Sequence, residues 1–180
     1  MRKLAFGFAA LAASAVPLLS PLPASATVIY NGGAPDQGGT VFAQSPATEA
    51  MSFVLSAGSI VVNDAHWWGG CFNGDVGGNG CGSSPDFTVS FYTDSGGSGP
   101  ATLITSFVVG AADQTATGNT IGSDPDFLEY SYSTSFAPVT LTAGTTYWFT
   151  VQETAAEPSG TFGVETTSTA PAGSATYSMS

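Results

Sequence analysis

Asp86-Phe87-Thr88-Val89-Ser90-Phe91-Tyr92 alternates apolar and polar side chains, so an extended strand puts Phe87, Val89 and Phe91 on one face and Thr88, Ser90 and Tyr92 on the other. A helix would scatter these rings around its axis. Leu128, Tyr130, Tyr132 and Phe136 alternate with Glu129, Ser131, Ser133 and Ser135 in the same manner. Working outward, further strands are expected at residues 28–30, 39–43, 51–55, 59–68, 103–109, 145–152, 161–165 and 175–179, separated by clusters of Gly, Pro, Ser and Asp. No window beyond the first residues carries a helical stripe. Many short strands with turn signals between them predict an all-β fold, an antiparallel two-layer β-sandwich of jelly-roll type.

Two internal echoes mark where strands begin and end. Gly82-Ser83-Ser84-Pro85-Asp86-Phe87 recurs as Gly122-Ser123-Asp124-Pro125-Asp126-Phe127, each time just before an alternating strand. Proline fixes φ and removes a donor where the chain enters the sheet. Leu55-Ser56-Ala57-Gly58-Ser59 is echoed by Leu141-Thr142-Ala143-Gly144-Thr145, an apolar strand end followed by a tight turn. The two echoes have different spacings, so they are recurrent turn chemistry and not a tandem repeat. Residues 141–147 also have the form of a tyrosine corner, in which the Tyr147 hydroxyl would bond back to nearby backbone.

Residues 1–26 read as a secretory signal peptide: a basic start at Arg2 and Lys3, an apolar run, and a small-residue cleavage site ending at Ala26. The apolar run is too short and too interrupted by proline for a membrane span of ~20 residues. The expected mature part, residues 27–180, is one domain able to bury roughly 70% of its extended-chain surface. Arg2 and Lys3 are the only basic side chains besides a single histidine, set against 13 carboxylates. Nucleic-acid binding and adhesion to anionic lipid both depend on Lys and Arg, so neither is expected, nor is membrane insertion after cleavage. Cys71 and Cys81 are the only cysteines. In an exported chain a close pair is read as a disulfide, closing a Gly-rich loop.

Tyr30-Asn31-Gly32-Gly33-Ala34-Pro35-Asp36-Gln37-Gly38-Gly39, Phe53-Val54-Leu55-Ser56-Ala57-Gly58, Trp67-Trp68-Gly69, residues 86–92 and Leu141-Thr142-Ala143-Gly144-Thr145-Thr146-Tyr147-Trp148 follow one another in this order. The series resembles a group of exported bacterial β-sandwich proteins that often carry a PEP-CTERM sorting tail for exosortase. The resemblance spans nearly all of residues 27–180 and implies export, surface or matrix association and no known catalytic residues. The group's Pro-Glu-Pro motif and basic-ended apolar tail do not occur in residues 27–180, either because this chain is not anchored by that route or because a last strand and tail lie beyond Ser180.

Few residues could carry chemistry. His66 is the only histidine, and Asp64 shares its strand face, but no Gly-x-Ser-x-Gly elbow supplies a nucleophile. Glu49, Glu129, Glu153, Glu157 and Glu165 could place two carboxylates across a glycosidic bond, as any sandwich with several glutamates could. Asn73, Asp75 and Asn79 lie in the disulfide loop and offer oxygen ligands to calcium, without EF-hand spacing; the bland reading is a Gly-rich surface loop. No other cofactor is expected.

The sharpest lead is aromatic. Trp67 and Trp68 are adjacent on a strand and point to opposite faces, so one enters the core and the other is covered by a loop or used. An exposed indole is a platform for the apolar face of a sugar, with Asn73 and Asp75 close by in sequence. The sequence therefore predicts a secreted, non-catalytic extracellular or cell-surface domain, with polysaccharide or other surface proteins as partners. The alternative is a carbohydrate-binding module using Trp67 or Trp68 with Asn73 and Asp75. A third reading is a small glycan hydrolase.

Overall fold

In the computed structural model the described residues are 36, 40–42, 48–55, 59–72, 81, 85–96, 99–122, 126–154, 161–165 and 176–179. They form ten strands: β1 (Thr40–Phe42), β2 (Thr48–Val54), β3 (Ser59–Phe72), β4 (Asp86–Asp94), β5 (Pro100–Ala111), β6 (Asp113–Thr120), β7 (Leu128–Thr142), β8 (Thr146–Glu153), β9 (Thr161–Glu165) and β10 (Thr176–Met179). The expected leader, residues 1–26, and the expected strand at 28–30 lie outside the described residues.

The strands pair antiparallel in two five-stranded sheets, β1-β9-β3-β7-β6 and β10-β2-β8-β4-β5. Four of the pairings are nested: β1 with β9, β2 with β8, β3 with β7, and β4 with β5. That is a long hairpin folded over on itself, the jelly-roll connectivity the sequence predicts. β6 then extends the first sheet beside β7, and β10 extends the second beside β2.

One core lies between the sheets, and aromatic rings from both build it. Phe87 of β4 stands edge-on to Trp67, Tyr132 and Phe162 of the opposite sheet, at centroid distances of 5.1, 5.3 and 4.8 Å. Trp67 and Tyr132 are register partners on β3 and β7, and their rings stack at 5.8 Å. Farther along, Phe136 contacts Phe91 and Phe107 across the sandwich. Burying one such ring is worth about 1.5–3 kcal/mol from area alone. Edge-to-face pairs add about 0.5–1.5 kcal/mol each.

The turns follow their sequence signals. Tyr147 Oη accepts a hydrogen bond from Thr142 N at 3.0 Å, which is the expected tyrosine corner. The two Leu-x-Ala-Gly echoes meet at one end of the molecule, where Gly144 N donates to Leu55 O at 2.8 Å and Ser59 pairs with Thr142. β4 starts at Asp86, within the first Ser-x-Pro-Asp-Phe echo, and β7 at Leu128, directly after the second.

Three elements depart from the sequence reading. β6, Asp113-Gln114-Thr115-Ala116-Thr117-Gly118-Asn119-Thr120, is a strand where the sequence predicts none. It has no large apolar side chain because it is an edge, held among the described residues by β7 alone. β3 runs on to Phe72, past the expected end at Trp68. Gly69 and Gly70 continue the strand because neighbours press on it. A Cβ at Gly69 would strike the Gly163 carbonyl oxygen, and one at Gly70 would lie 2.5 Å from Leu128 O and 2.8 Å from the Phe127 ring. β7 likewise runs on to Thr142, beyond the alternation seen at 128–136.

Cys71 and Cys81 form the expected disulfide, with a Cα separation of 4.8 Å, and both are buried in the aromatic core. The bridge ties the end of β3 to the chain that leads into β4. Replacing both cysteines by serine is expected to cost about 2 to 3 kcal/mol, since the bridge closes a short loop. A lower urea midpoint with little change in slope, at equilibrium, checks this.

Candidate functional site

β3 and β7 divide their side chains between core and outer face. Trp67 points inward and is 3% exposed, stacked on Tyr132 and edge-on to Phe87. Its indole N–H is buried without a hydrogen-bond partner. Trp67 is therefore the core tryptophan and offers no face to a ligand, which removes it from the expected platform. Trp68 points the other way and is half-buried on the outer face of the β1-β9-β3-β7-β6 sheet.

Register fixes what surrounds Trp68. Ser131 of β7 lies opposite it, and Thr115 of β6 lies beyond Ser131. Ser131 Oγ donates to Thr115 O at 3.4 Å. The next row is His66, Ser133 and Asp113; the one after it begins with Asp64 and Ser135. In the other direction along β3, Gly70 and then Phe72 follow on the same outer line. The Phe127 ring rests on Gly70 and meets the exposed Phe72 ring edge-on at 6.0 Å. Trp68, Phe127 and Phe72 thus form an aromatic strip about 13 Å long, from the rise of four strand residues. Hydroxyl and carboxylate groups flank it at the spacing of neighbouring strands.

His66 and Asp64 form a surface pair. His66 Nε2 lies 3.2 Å from Asp64 Oδ2, with side chains 64% and 43% exposed. The sequence offers no serine motif for this imidazole, yet the register puts Ser133 directly across from it. The three groups lie on an open sheet face, where an ion pair contributes little.

Glu129, Glu153 and Glu165 are all buried. Glu129, 1% exposed, follows the outward alternation of β7 but is covered; Asn119 Nδ2 donates to its Oε1 at 3.3 Å, and its Oε2 is buried without a partner. Thr117 Oγ1 of β6 donates to the Glu129 carbonyl at 3.2 Å. Glu153 lies on the core side, opposite Phe87, with Phe162 N–H donating to its Oε2 at 3.4 Å. The alternation marks Glu129 only as an outward polar residue; its donors come from β6, the strand that sequence reasoning missed. Glu157 and the side chain of Glu49 lie outside the described residues, as do Asn73, Asp75 and Asn79. Among the described residues no group of three or more His, Cys, Asp or Glu side chains is arranged to hold a metal.

Tyr132 joins the core to the disulfide. Its hydroxyl accepts from Gln114 Nε2 at 3.2 Å and lies 3.3 Å from Cys81 Sγ, to which it donates because the bridged sulfur has no proton. Burial pushes the phenol well above the usual tyrosine range; the bond from Gln114 opposes this, while Tyr130 and Glu153 add to it.

No protein-family model, curated protein or solved structure matches this chain.

Two outcomes follow from this geometry. Trp67→Ala removes the stacked ring and is expected to cost about 3–5 kcal/mol, whereas Trp68→Ala costs well under half as much; denaturant midpoints of the two variants test the contrast. A phenol with a raised folded pKa stabilises the fold fully below the unfolded value near 10. That contribution is lost as pH rises from there toward the folded value, by up to about 1.4 kcal/mol per pH unit. Stability measured above pH ~10 should therefore fall less steeply in Tyr132→Phe than in the wild type.

Proposed function

We infer that this chain is a secreted, non-catalytic β-sandwich domain of the cell surface or extracellular matrix, akin to the exported bacterial proteins that its sequence resembles. The observation that carries this reading is the Cys71–Cys81 bridge inside the aromatic core. A bridge of this kind forms and persists in an oxidising compartment, which agrees with the leader read at residues 1–26. No helix among the described residues is long and apolar enough to cross a membrane. The burial of Glu129, Glu153 and Glu165 supports a non-catalytic role, because a glycosidase must present its two carboxylates to the substrate.

A second reading rests on the aromatic strip. Trp68, Phe127 and Phe72 on an outer sheet face, bordered by Ser131, Ser133, Thr115 and Asp64, have the character of a carbohydrate platform. Rings cover the apolar face of a sugar while hydroxyls and carboxylates bond its rim. Asn73, Asp75 and Asn79, the oxygen-bearing side chains that the sequence offers to a sugar or to calcium, lie outside the described residues.

Cell fractionation and a pull-down together test both readings. The surface reading predicts that the protein leaves the cytoplasm and is retained with cells or matrix; a cytoplasmic, reduced protein would overturn it. The platform reading predicts saturable binding to an insoluble polysaccharide or to cell-wall material, reduced about tenfold or more in Trp68→Ala, the loss expected from ~1.4 kcal/mol of stacking. Binding unchanged in Trp68→Ala, or absent from every polysaccharide, would leave Trp68 as a packing residue.

A further inference from the structure

We propose that β5 is a self-association edge, through which two copies of this chain join their β10-β2-β8-β4-β5 sheets by antiparallel β5–β5 pairing. Among the described residues β5 is the terminal strand of that sheet, hydrogen-bonded on one side only, by β4. An edge of twelve residues is a template for another strand unless charge, proline or a short length blunts it. The other edge at this end of the molecule, β6, is blunted in that way: it is short, starts with Asp113 and exposes no large apolar side chain. β5 is not. Between Pro100 and Ala111 it has no charged residue, and it exposes Leu103, Ile104 and Val108, the last at 75%.

The pattern along β5 selects a second copy as the occupant. Against β4, Thr105 pairs with Phe91 and Phe107 with Val89, both core-facing, while Ser106 pairs with Ser90 and Val108 with Thr88 on the outer face. Ile104 lies between the pairings of Thr105 and Leu103, at a register shift, and local alternation from Thr105 turns it outward. The outer row is therefore Ile104, Ser106 and Val108. A two-fold axis at Ser106 places Ser106 against Ser106 of the copy, Thr105 against Phe107, and Ile104 against Val108. Every residue then meets one on its own face, as sheet pairing requires. The two exposed aliphatics cover each other twice. The chain's 13 carboxylates would oppose the approach of a copy elsewhere, but none lies on this strand.

Sedimentation across a concentration series and a cysteine probe test the proposal on the purified protein. The wild type should pass from monomer to dimer as concentration rises. Val108→Lys should raise the dissociation constant by about tenfold or more, and Val61→Lys, at an exposed valine on the other sheet, should leave it unchanged. Ser106→Cys should form an intermolecular disulfide under mild oxidation, because residues facing across an antiparallel pair have Cα atoms about 4.5–5.5 Å apart, within bridging range. A wild type that stays monomeric at the highest concentration, together with a Ser106→Cys variant that forms no crosslink, would overturn the proposal. So would a dimer that survives Val108→Lys and leaves Ser106→Cys unlinked, since its interface would lie elsewhere.

Discussion

The ring of Phe87 holds the two sheets in place relative to each other. It comes from β4 and lodges among Trp67 of β3, Tyr132 of β7 and Phe162 of β9, the three central strands of the opposite sheet. Each of these rings is fixed by pairing within its own sheet: Trp67 faces Tyr132 across the ladder, and Phe162 faces Cys71. A slip of one residue in β4 would turn Phe87 outward and send Thr88 into the aromatic pocket. The disulfide, the Tyr132 hydroxyl and the Glu153 carboxylate are all arranged around this pocket. The packing thus fixes which tryptophan of the adjacent pair is left on the outer face.

The alternation at residues 86–92 and 128–136 is strong enough in sequence to give the sandwich, because each of these strands turns its core rings to a single face. The Leu-x-Ala-Gly and Ser-x-Pro-Asp-Phe echoes locate turns for equally local reasons. What the sequence hides depends on neighbours. β6 has no apolar face of its own and is a strand only because β7 presents a free edge to it. Gly69 and Gly70 lie past the expected strand end at Trp68, yet they continue β3 because Gly163, Leu128 and Phe127 come too close for any side chain. Alternation requires Trp67 and Trp68 to part; which one turns inward is set by register with Tyr132, a contact across 65 positions of chain. The aromatic strip combines Trp68 and Phe72 with Phe127, a residue that in sequence belongs to a turn.

A chain with no lysine or arginine beyond residue 3 must hold its inner carboxylates by neutral donors. The side-chain amide of Asn119 serves Glu129, the backbone N–H of Phe162 serves Glu153, and the indole of Trp148 donates to Asp94 at 2.8 Å. These are short-range bonds that salt screens little, unlike pairs of surface charges. Polar order in this fold therefore comes from hydrogen-bond geometry, and ionic attraction has almost no part in it.

The nesting of the strands sets the order in which the molecule can be assembled. β1 waits for β9 and β2 for β8, so the first strands to emerge from a ribosome or a membrane pore have no partner until almost the whole chain is out. β4 with β5, at the tip of the folded hairpin, and β6 with β7 are the neighbours that can pair early. Contacts this distant along the chain make folding slow. A growing chain therefore keeps its first strands open, and the sandwich locks into shape only once its tail has followed.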